Sequence, residues 1–335
     1  MSADAVMTVE AFLAKLGRLA EQALSRYGFS PDATATLINY SENATYLVED
    51  PVQGKQSILR IHRRGYHNEA AIRSELQWID ALRKEEGVIT AAPIPASDGT
   101  LIQRLANDEL PEPRHAVMFT YLTGREPSED DLLGPFERLG AVSAHMHRHS
   151  RNWRLPNGFI RQRWDHHGAL GALSIWGHWQ NGMGMTPAYL KLFERLSETI
   201  RKRLDAFGTG PQRFGLVHAD IRLANLLVEG EATKVIDFDD SGFSWFLYDI
   251  GTALSFIEHR PDVPDLVDAW IRGYRKVAPL TVEEEAEIPT FIMMRRLLLV
   301  AWIGSHHETN LARGLGVAYT AGTADLADAY LAKFS

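Results

Sequence analysis

The chain has 335 residues, of which 45% are hydrophobic and 23% charged, with a formal net charge of −8 and no cysteine. This composition is ordinary for a folded globular protein and excludes a disordered or fibrous chain. The negative charge argues against a protein whose main task is to neutralise nucleic-acid phosphates. The lack of cysteine excludes disulfides, thiolate catalysis and cysteine-ligated metals.

The N-terminus and the apolar runs give no indication of export or of a membrane span. The N-terminal sequence lacks the basic, apolar and small-residue regions of a secretory signal. The longest apolar run, residues 297–304, is less than half as long as a membrane-spanning helix. We therefore expect a cytoplasmic protein whose partners include neither nucleic acid nor membrane, and homodimerisation stays open.

Residues 1–122 are predicted to form a strand-rich lobe with one internal helix. The lobe begins with an amphipathic helix over residues 8–27 that stops at Gly28. Short runs with strand character follow at residues 34–40, 45–50, 56–62, 100–105 and 115–122. A helix over residues 68–86 lies between the third and the fourth of these strands.

Residues 123–335 are predicted to form a larger, mainly helical lobe. Helical spacing of apolar residues is found at 129–149, at 187–207 and from about 249 onward. Residues 151–185 are rich in Trp, His and Gly without a clear period, which predicts a loop with short helices. A strand-like island at 214–238 interrupts the helices. The sequence thus predicts an α+β fold of two lobes with the chemistry between them.

The chemistry is concentrated in residues 216–240. A turn signal at residues 229–232 separates two short apolar runs, which predicts a hairpin that brings Asn225 close to Asp237. An amide oxygen and a carboxylate at one place suit a hard cation such as Mg²⁺. Asp220 lies five residues before Asn225 on an irregular loop and is free to act as a base. A base beside an Asn–Asp pair that holds Mg²⁺ is typical of phosphoryl transfer to a hydroxyl.

A structural interpretation competes with this one, because Asp and Asn residues in turns usually only cap and bend the chain. Here, however, His218 and Asp220 directly follow an apolar run, and Asp237 ends another. Carboxylates buried at such places are costly unless they are paired or bind metal. The combination favours a functional site.

The motifs HADIRLANLL at 218–227, VIDFDD at 235–240 and YDIG at 248–251 resemble the aminoglycoside phosphotransferase and choline kinase-like family. That family has a protein-kinase-like fold with a small strand-rich N-terminal lobe and a larger helical C-terminal lobe. Its usual pattern has glycine where this chain has Ala219. The late segment at 294–302 is most similar to the type II homoserine kinases and the bacterial stress-response kinase.

The resemblance implies a role for each matching residue. Asp220 would be the catalytic base, and Asn225 and Asp237 would ligate Mg²⁺. His218 would hold the loop by hydrogen bonds, and Asp249 would order it without touching the substrate. The phosphoryl donor would be ATP.

In the N-terminal lobe, the resemblance places Arg60 where many relatives have a phosphate-holding lysine. An arginine can bind phosphate, although its reach and shape differ from those of lysine. Its helix partner is predicted to be Glu75 rather than Glu69, because at 100° per residue Glu75 lies nearer to the apolar stripe of that helix. That stripe consists of Ile72, Leu76, Ile79 and Leu82.

No GxGxxG motif is present in the chain. The resemblance places the turn that contains Ser41 and Asn43 over the phosphates of the nucleotide. It also implies that backbone groups near Tyr121 bind the adenine.

The predicted function is ATP-dependent transfer of the γ-phosphate to a hydroxyl of a small molecule, either an amino alcohol or a hydroxy amino acid such as homoserine. One alternative is a Ser/Thr protein kinase of the stress-response type, and a less favoured one is a nucleotide-binding pseudokinase. Negative charge for binding an amine could come from Glu258, Asp262 or Glu308. The tryptophans at 164, 176 and 179 are expected to pack the irregular 151–185 segment.

Overall fold

The computed structural model describes residues 8–40, 43–110 and 112–334. Within them the chain divides into two compact units. The first unit consists of the residues up to Asp80, together with Thr90–Thr123 and Asn157–Ile160. The second unit consists of Ala81–Ile89, Gly124–Pro156 and the residues from Arg161 onward.

The first unit is built on an antiparallel sheet with the strand order β1-β2-β3-β6-β4, and β5 pairs with β6. The strands are β1 Thr34–Tyr40, β2 Ala44–Asp50, β3 Lys55–Ile61, β4 Pro93–Ile94, β5 Gln103–Leu105 and β6 Arg114–Thr120. Side chains of β2 alternate between buried and more exposed positions, as expected when one face of a sheet is covered.

Helix α1 (Val9–Leu24) packs its apolar stripe against this sheet. The Thr8 hydroxyl accepts a hydrogen bond from the Ala11 N–H at 3.2 Å and caps the start of the helix. A 3₁₀ turn then leads to Gly28, whose φ of 70° ends it in the left-handed region. The predicted helix over residues 8–27 is therefore confirmed.

Helix α2 (Glu69–Ala81) continues into a π-helical turn over Leu82–Glu86. This last turn and the residues up to Ile89 group with the second unit, whereas the sequence places them inside the predicted lobe 1–122. The reason is a set of contacts within the second unit. The Glu86 carboxylate pairs with Arg148, and the Ile89 carbonyl accepts the Val235 N–H at 3.0 Å.

The second unit is mainly helical, as predicted. Its helices are α3 Leu133–Asn152, α4 His166–Ala169, α5 Pro187–Phe207, α6 Tyr248–Ala253, α7 Val263–Arg275, α8 Val282–Ser305 and α9 Asn310–Phe334. Helix α9 is interrupted at Gly316, where the backbone is not helical. Its strands are β7 Phe214–Val217, β8 Leu226–Glu229, β9 Ala232–Val235 and β10 Gly242–Trp245, paired as β7 with β10 and β8 with β9.

The sequence prediction omits β4 and β10. Both are short, and each pairs with a strand that is distant in the sequence: Pro93 lies opposite Phe119, and Gly242 lies opposite Val217. Local periodicity cannot identify a strand of two to four residues whose stability comes from such a distant partner.

Within the described ranges, α8 is the one helix long and apolar enough, by length and composition, to cross a membrane. Of its most apolar 18-residue window, 78% is buried inside the protein. A helix that is apolar on all sides is typical of a protein core, and α8 fits that description.

Helices α3 and α7 approach each other closely at two glycines. A Cβ added to Gly273 would lie 1.7 Å from the Glu137 carbonyl oxygen, and one added to Gly140 would lie 2.0 Å from the Trp270 carbonyl oxygen. Because both obstacles are backbone atoms, neither can move away without shifting a helix. The crossing thus requires glycine at both positions.

We predict that Gly273→Ala destabilises the protein by about 1–3 kcal/mol through overpacking. The matched control is Gly314→Ala on α9, where an added Cβ meets nothing within 4 Å. The control should stabilise the protein slightly, by about 0.4–1 kcal/mol, because alanine restricts the unfolded chain. Urea unfolding midpoints of both variants measure the difference, and equal midpoints would contradict this account of the crossing.

Candidate active site

The loop at residues 218–225, between β7 and β8, is held in place by one carboxylate. Asp249 on α6 is fully buried and accepts the N–H of His218 at 3.1 Å and the N–H of Ala219 at 2.8 Å. The Thr252 hydroxyl, on the same helix, accepts the N–H of Ile221 at 3.1 Å. Three successive parts of the loop backbone are thereby fixed to α6.

Ala219 adopts a left-handed conformation with a φ of 66°. This region is unfavourable for residues with a Cβ, which accounts for the glycine that the family pattern has at this position. The strain persists because the Ala219 N–H is held by Asp249.

We predict that Ala219→Gly stabilises the protein by about 0.5–1 kcal/mol, since glycine removes the strain but adds freedom to the unfolded chain. The turnover number should be unchanged because the bond from the backbone N–H to Asp249 remains. Ala14→Gly, at an exposed position within α1, is the control and should destabilise by about 1 kcal/mol. Thermal unfolding compares the two, and a loss of stability in both would refute the strain argument.

A chain of hydrogen bonds between side chains of α3 and α7 supports the Asp249 carboxylate. Arg151 donates to the Tyr274 hydroxyl at 3.2 Å, and that hydroxyl lies 3.2 Å from Nδ1 of His147. Nε2 of His147 lies 3.0 Å from Asp249 Oδ2. Burial lowers the pKa of His147, although Asp249 partly opposes the shift. A neutral ring that carries its proton on Nε2 satisfies every bond in the chain.

The lowered pKa of His147 makes stability depend on pH. Below about pH 6.5, the ordinary value for histidine, the unfolded chain takes up a proton that the folded protein resists, so stability falls as pH falls. We predict that His147→Gln, which keeps a donor for Asp249, reduces this slope between pH 6.5 and 5 by up to about 1.4 kcal/mol per pH unit. Denaturant unfolding at several pH values measures it. Identical slopes in the two proteins would show that His147 is not the group involved.

His218 links the loop to the strand segment that follows β9. Its Nε2 lies 3.1 Å from the Ile236 carbonyl oxygen, and its Nδ1 accepts the Asp220 N–H at 3.3 Å. Burial lowers the pKa of His218. A neutral ring with the proton on Nε2 donates to the carbonyl and accepts from the backbone at the same time. His218 therefore orders the loop through hydrogen bonds.

The Asp220 carboxylate is held on both sides, and its side chain is 14% exposed. One oxygen pairs with the guanidinium of Arg295 on α8. The other accepts the Asn225 side-chain N–H₂ at 2.8 Å and lies 3.4 Å from Nε of Arg222. The carboxylate is thus oriented by the protein while part of it remains open to solvent.

Asn225 and Asp237 are brought together by the β8–β9 hairpin, as the turn signal predicts. The Asn225 carbonyl accepts the Ile236 N–H at 3.0 Å, which places the two residues at neighbouring ends of the hairpin. Asp237 is exposed and has a φ of 64°.

The donor set at this place fits Mg²⁺. The Asn225 N–H₂ donates to the backbone and side-chain oxygens of Asp220, so its Oδ1 points away from them. That oxygen and the Asp237 carboxylate are the hard oxygen ligands that Mg²⁺ prefers. In the described residues no group of three or more His, Cys, Asp or Glu could hold a metal ion. Mg²⁺ usually takes only one or two carboxylates from the protein and completes its shell with water and phosphates.

In the first unit, Arg60 on β3 pairs with Glu75 on α2. One guanidinium nitrogen lies 2.8 Å from each Glu75 oxygen, and both side chains are buried. The guanidinium also lies over the Phe119 ring at 5.0 Å. Glu69, the other candidate, is half-exposed and pairs with Arg73. The helical-wheel argument thus selects the glutamate that contacts Arg60.

The other nucleotide candidates in the first unit differ in how the structure places them. Ser41 lies outside the described residues. Asn43 is buried, and its side-chain oxygen accepts the Arg63 N–H at 3.0 Å. Tyr121 directly follows β6 and is 40% exposed. Their proposed contacts with ATP remain predictions.

Two further residues contact Asp220 or Asp249, and the sequence motifs predict a role for neither of them. Arg295 is a charged residue inside the apolar α8, and such a placement is by itself a signal that a partner is needed. His147 lies on the buried stripe of α3 with Phe136, Gly140 and Ser143, at spacings of three and four residues. A helical-wheel view of α3 would have separated it from His145, which is partly exposed.

Two of the acids considered for binding an amine already have an arginine partner. Glu258 is buried and paired with Arg296 at 2.8 Å, and Asp262 pairs with Arg260 at 2.9 Å. The tryptophans at 164, 176 and 179 are buried, as expected for packing of the irregular segment.

Comparisons with known proteins agree with this geometry. Residues 35–285 match the phosphotransferase enzyme family, APH. The amicoumacin kinase of Bacillus subtilis is 24% identical over 300 residues, which cover 86% of this chain and 85% of that protein. The homoserine kinase of Gluconobacter oxydans is 27% identical over 259 residues, which cover 73% of this chain and 77% of that protein.

Among solved structures, the microcompartment-associated aminopropanol kinase is 43% identical, covers 94% of this chain and 98% of its own, and has a TM-score of 0.87. The protein-kinase-like α+β fold is thereby confirmed. Kinases of this family use ATP and Mg²⁺. The chain therefore belongs to the phosphotransferase enzyme family and is a kinase that phosphorylates a hydroxyl group of a small molecule with ATP.

Proposed function

We propose that the acceptor is a small amino alcohol, and that aminopropanol is the first compound to test. The support is the aminopropanol kinase, which is 43% identical over nearly the full length of both chains. A hydroxy amino acid such as homoserine is the second candidate, supported by the 27% identical homoserine kinase. A cytoplasmic location belongs to the same proposal, and the absence of cysteine is compatible with that reducing compartment.

The observation that carries the proposed chemistry is the orientation of Asp220 directly beside Asn225. In this proposal the acceptor hydroxyl gives its proton to Asp220 while its oxygen forms a bond to the γ-phosphorus. The bond from that phosphorus to the bridging oxygen breaks, and ADP leaves with the electron pair. Orientation of the hydroxyl is the main task of such a base, because phosphoryl transfer proceeds through a loose transition state.

The remaining residues are assigned to the nucleotide. Mg²⁺, held by Asn225 and Asp237, would neutralise charge on the phosphates of ATP. We assign Arg60 to the phosphates, since its ion pair with Glu75 keeps the guanidinium in one position. Ser41 and Asn43 are assigned to the turn over the phosphates, and the backbone near Tyr121 to the adenine.

We predict that Asp220→Asn lowers acceptor-dependent turnover by about 10²–10⁴-fold, the usual contribution of a general base. Release of ADP from ATP and Mg²⁺ is measured with aminopropanol, ethanolamine, choline, homoserine, hydroxylysine, an aminoglycoside and a generic protein. The matched control is Asp262→Asn, the same chemical change at the start of α7. The control should retain wild-type turnover.

Each result of this panel points to one conclusion. Stimulation by an amino alcohol that is lost in Asp220→Asn supports the proposal. Stimulation by protein alone would replace it with the Ser/Thr protein kinase. ATP binding without turnover on any acceptor would favour the pseudokinase, for which the arginine at position 60 is the one hint in the sequence.

A further inference from the structure

Two consecutive arginines in the middle of α8 are buried, and each pairs with a different acid. Arg295 is 1% exposed and pairs with Asp220, whereas Arg296 is 2% exposed and pairs with Glu258. Neighbouring residues on a helix point about 100° apart, which explains the separate partners. A buried guanidinium group needs a paired acid, because an unpaired buried charge is strongly destabilising. The acid that pairs with Arg295 is Asp220, the residue proposed as the base.

Every nitrogen of the Arg295 guanidinium is engaged. One terminal nitrogen pairs with Asp220 Oδ1, and the other lies 3.3 Å from the Ala219 carbonyl oxygen. Nε donates to the Ser255 hydroxyl at 2.9 Å. The Trp176 ring covers the guanidinium at 4.9 Å. The group is thus fixed on its edges and on one face.

These contacts determine the orientation of the Asp220 carboxylate. The final torsion of an aspartate side chain is broad and has no strong intrinsic preference, so partners must hold it. Arg295 holds one oxygen, and Asn225 holds the other at 2.8 Å. Asn225 is also assigned to Mg²⁺, whereas Arg295 is assigned no other role.

We propose that Arg295 is a positioning residue for phosphoryl transfer: it fixes the rotation of the Asp220 carboxylate and thereby sets the rate of the transfer step without contacting the substrate. The inference rests on the proposed role of Asp220 as the base. A misplacement of about 1 Å in such a group can cost 10²-fold in rate. Loss of Arg295 should therefore lower kcat and leave the binding of ATP unchanged.

Arg296 provides a matched control in the same helix. It pairs with Glu258 at 2.8 Å, donates to the Thr323 hydroxyl at 2.8 Å and lies over the Tyr319 ring. None of these partners lies in the 218–225 loop. Replacing Arg296 thus removes an ion pair that is at least as buried but leaves the contacts of Asp220 intact.

The experiment compares Arg295→Met with Arg296→Met at a temperature where far-UV circular dichroism shows both to be folded. We expect Arg295→Met to lower kcat by about 100-fold with an unchanged KM for ATP. Arg296→Met should keep kcat within about twofold of wild type, although its unfolding temperature falls.

Two milder variants keep the test decisive if Arg295→Met does not fold. Arg295→Lys keeps the charge but loses the planar guanidinium, and we expect its kcat to lie between those of wild type and Arg295→Met. Ser255→Ala removes one neutral hydrogen bond to Arg295 and should lower kcat by about 2–10-fold with an unchanged KM. Wild-type kcat in both variants would overturn the inference.

The failure of this inference can be distinguished from failure of the proposed function. If Asp220→Asn is inactive while Arg295→Met and Arg296→Met lower kcat equally, Arg295 is structural and the inference is wrong. A change in KM without a change in kcat leads to the same conclusion. If Asp220→Asn stays active, it is the role of the base that is wrong.

Discussion

The site depends on one buried carboxylate, that of Asp249. It accepts two consecutive backbone N–H groups of the 218–225 loop, at 3.1 and 2.8 Å, and also lies 3.0 Å from Nε2 of His147. These hydrogen bonds replace the water that the buried carboxylate has lost and so offset the cost of burying it. The hydrogen bond from the Ala219 N–H to this carboxylate stabilises the strained left-handed backbone at Ala219. The backbone position of Asp220, one residue later, follows from that of Ala219.

The side chains that we assign to the reaction are held by neighbouring side chains. Asp220 contacts Arg295 and also Asn225, which is itself assigned to Mg²⁺, and Arg60 contacts Glu75. His218 is kept neutral by burial, so that its ring can both donate and accept. This arrangement suits a reaction in which the protein supplies position and charge rather than covalent chemistry.

Much of the site could be predicted from the sequence because its central part is local. The hairpin that joins Asn225 to Asp237 follows from a turn signal between two apolar runs, and the choice of Glu75 follows from the period of one helix. The contact between Arg295 and Asp220 could not be predicted in this way, because 75 residues separate them and no local pattern encodes the pairing. The same reason explains why the sequence does not predict that residues 81–89 group with the second unit, because their contacts are with α3 and β9, which are distant in the sequence.

The apolar character of α8 has a consequence for the newly made chain. Before the protein folds, this segment is long and apolar enough to be mistaken for a membrane anchor. Arg295 and Arg296 lie near its middle, where each arginine opposes insertion into a bilayer by about 2.5–3.5 kcal/mol. The two residues that pair with acids in the folded enzyme thus also make this segment a less favourable membrane span before it is buried.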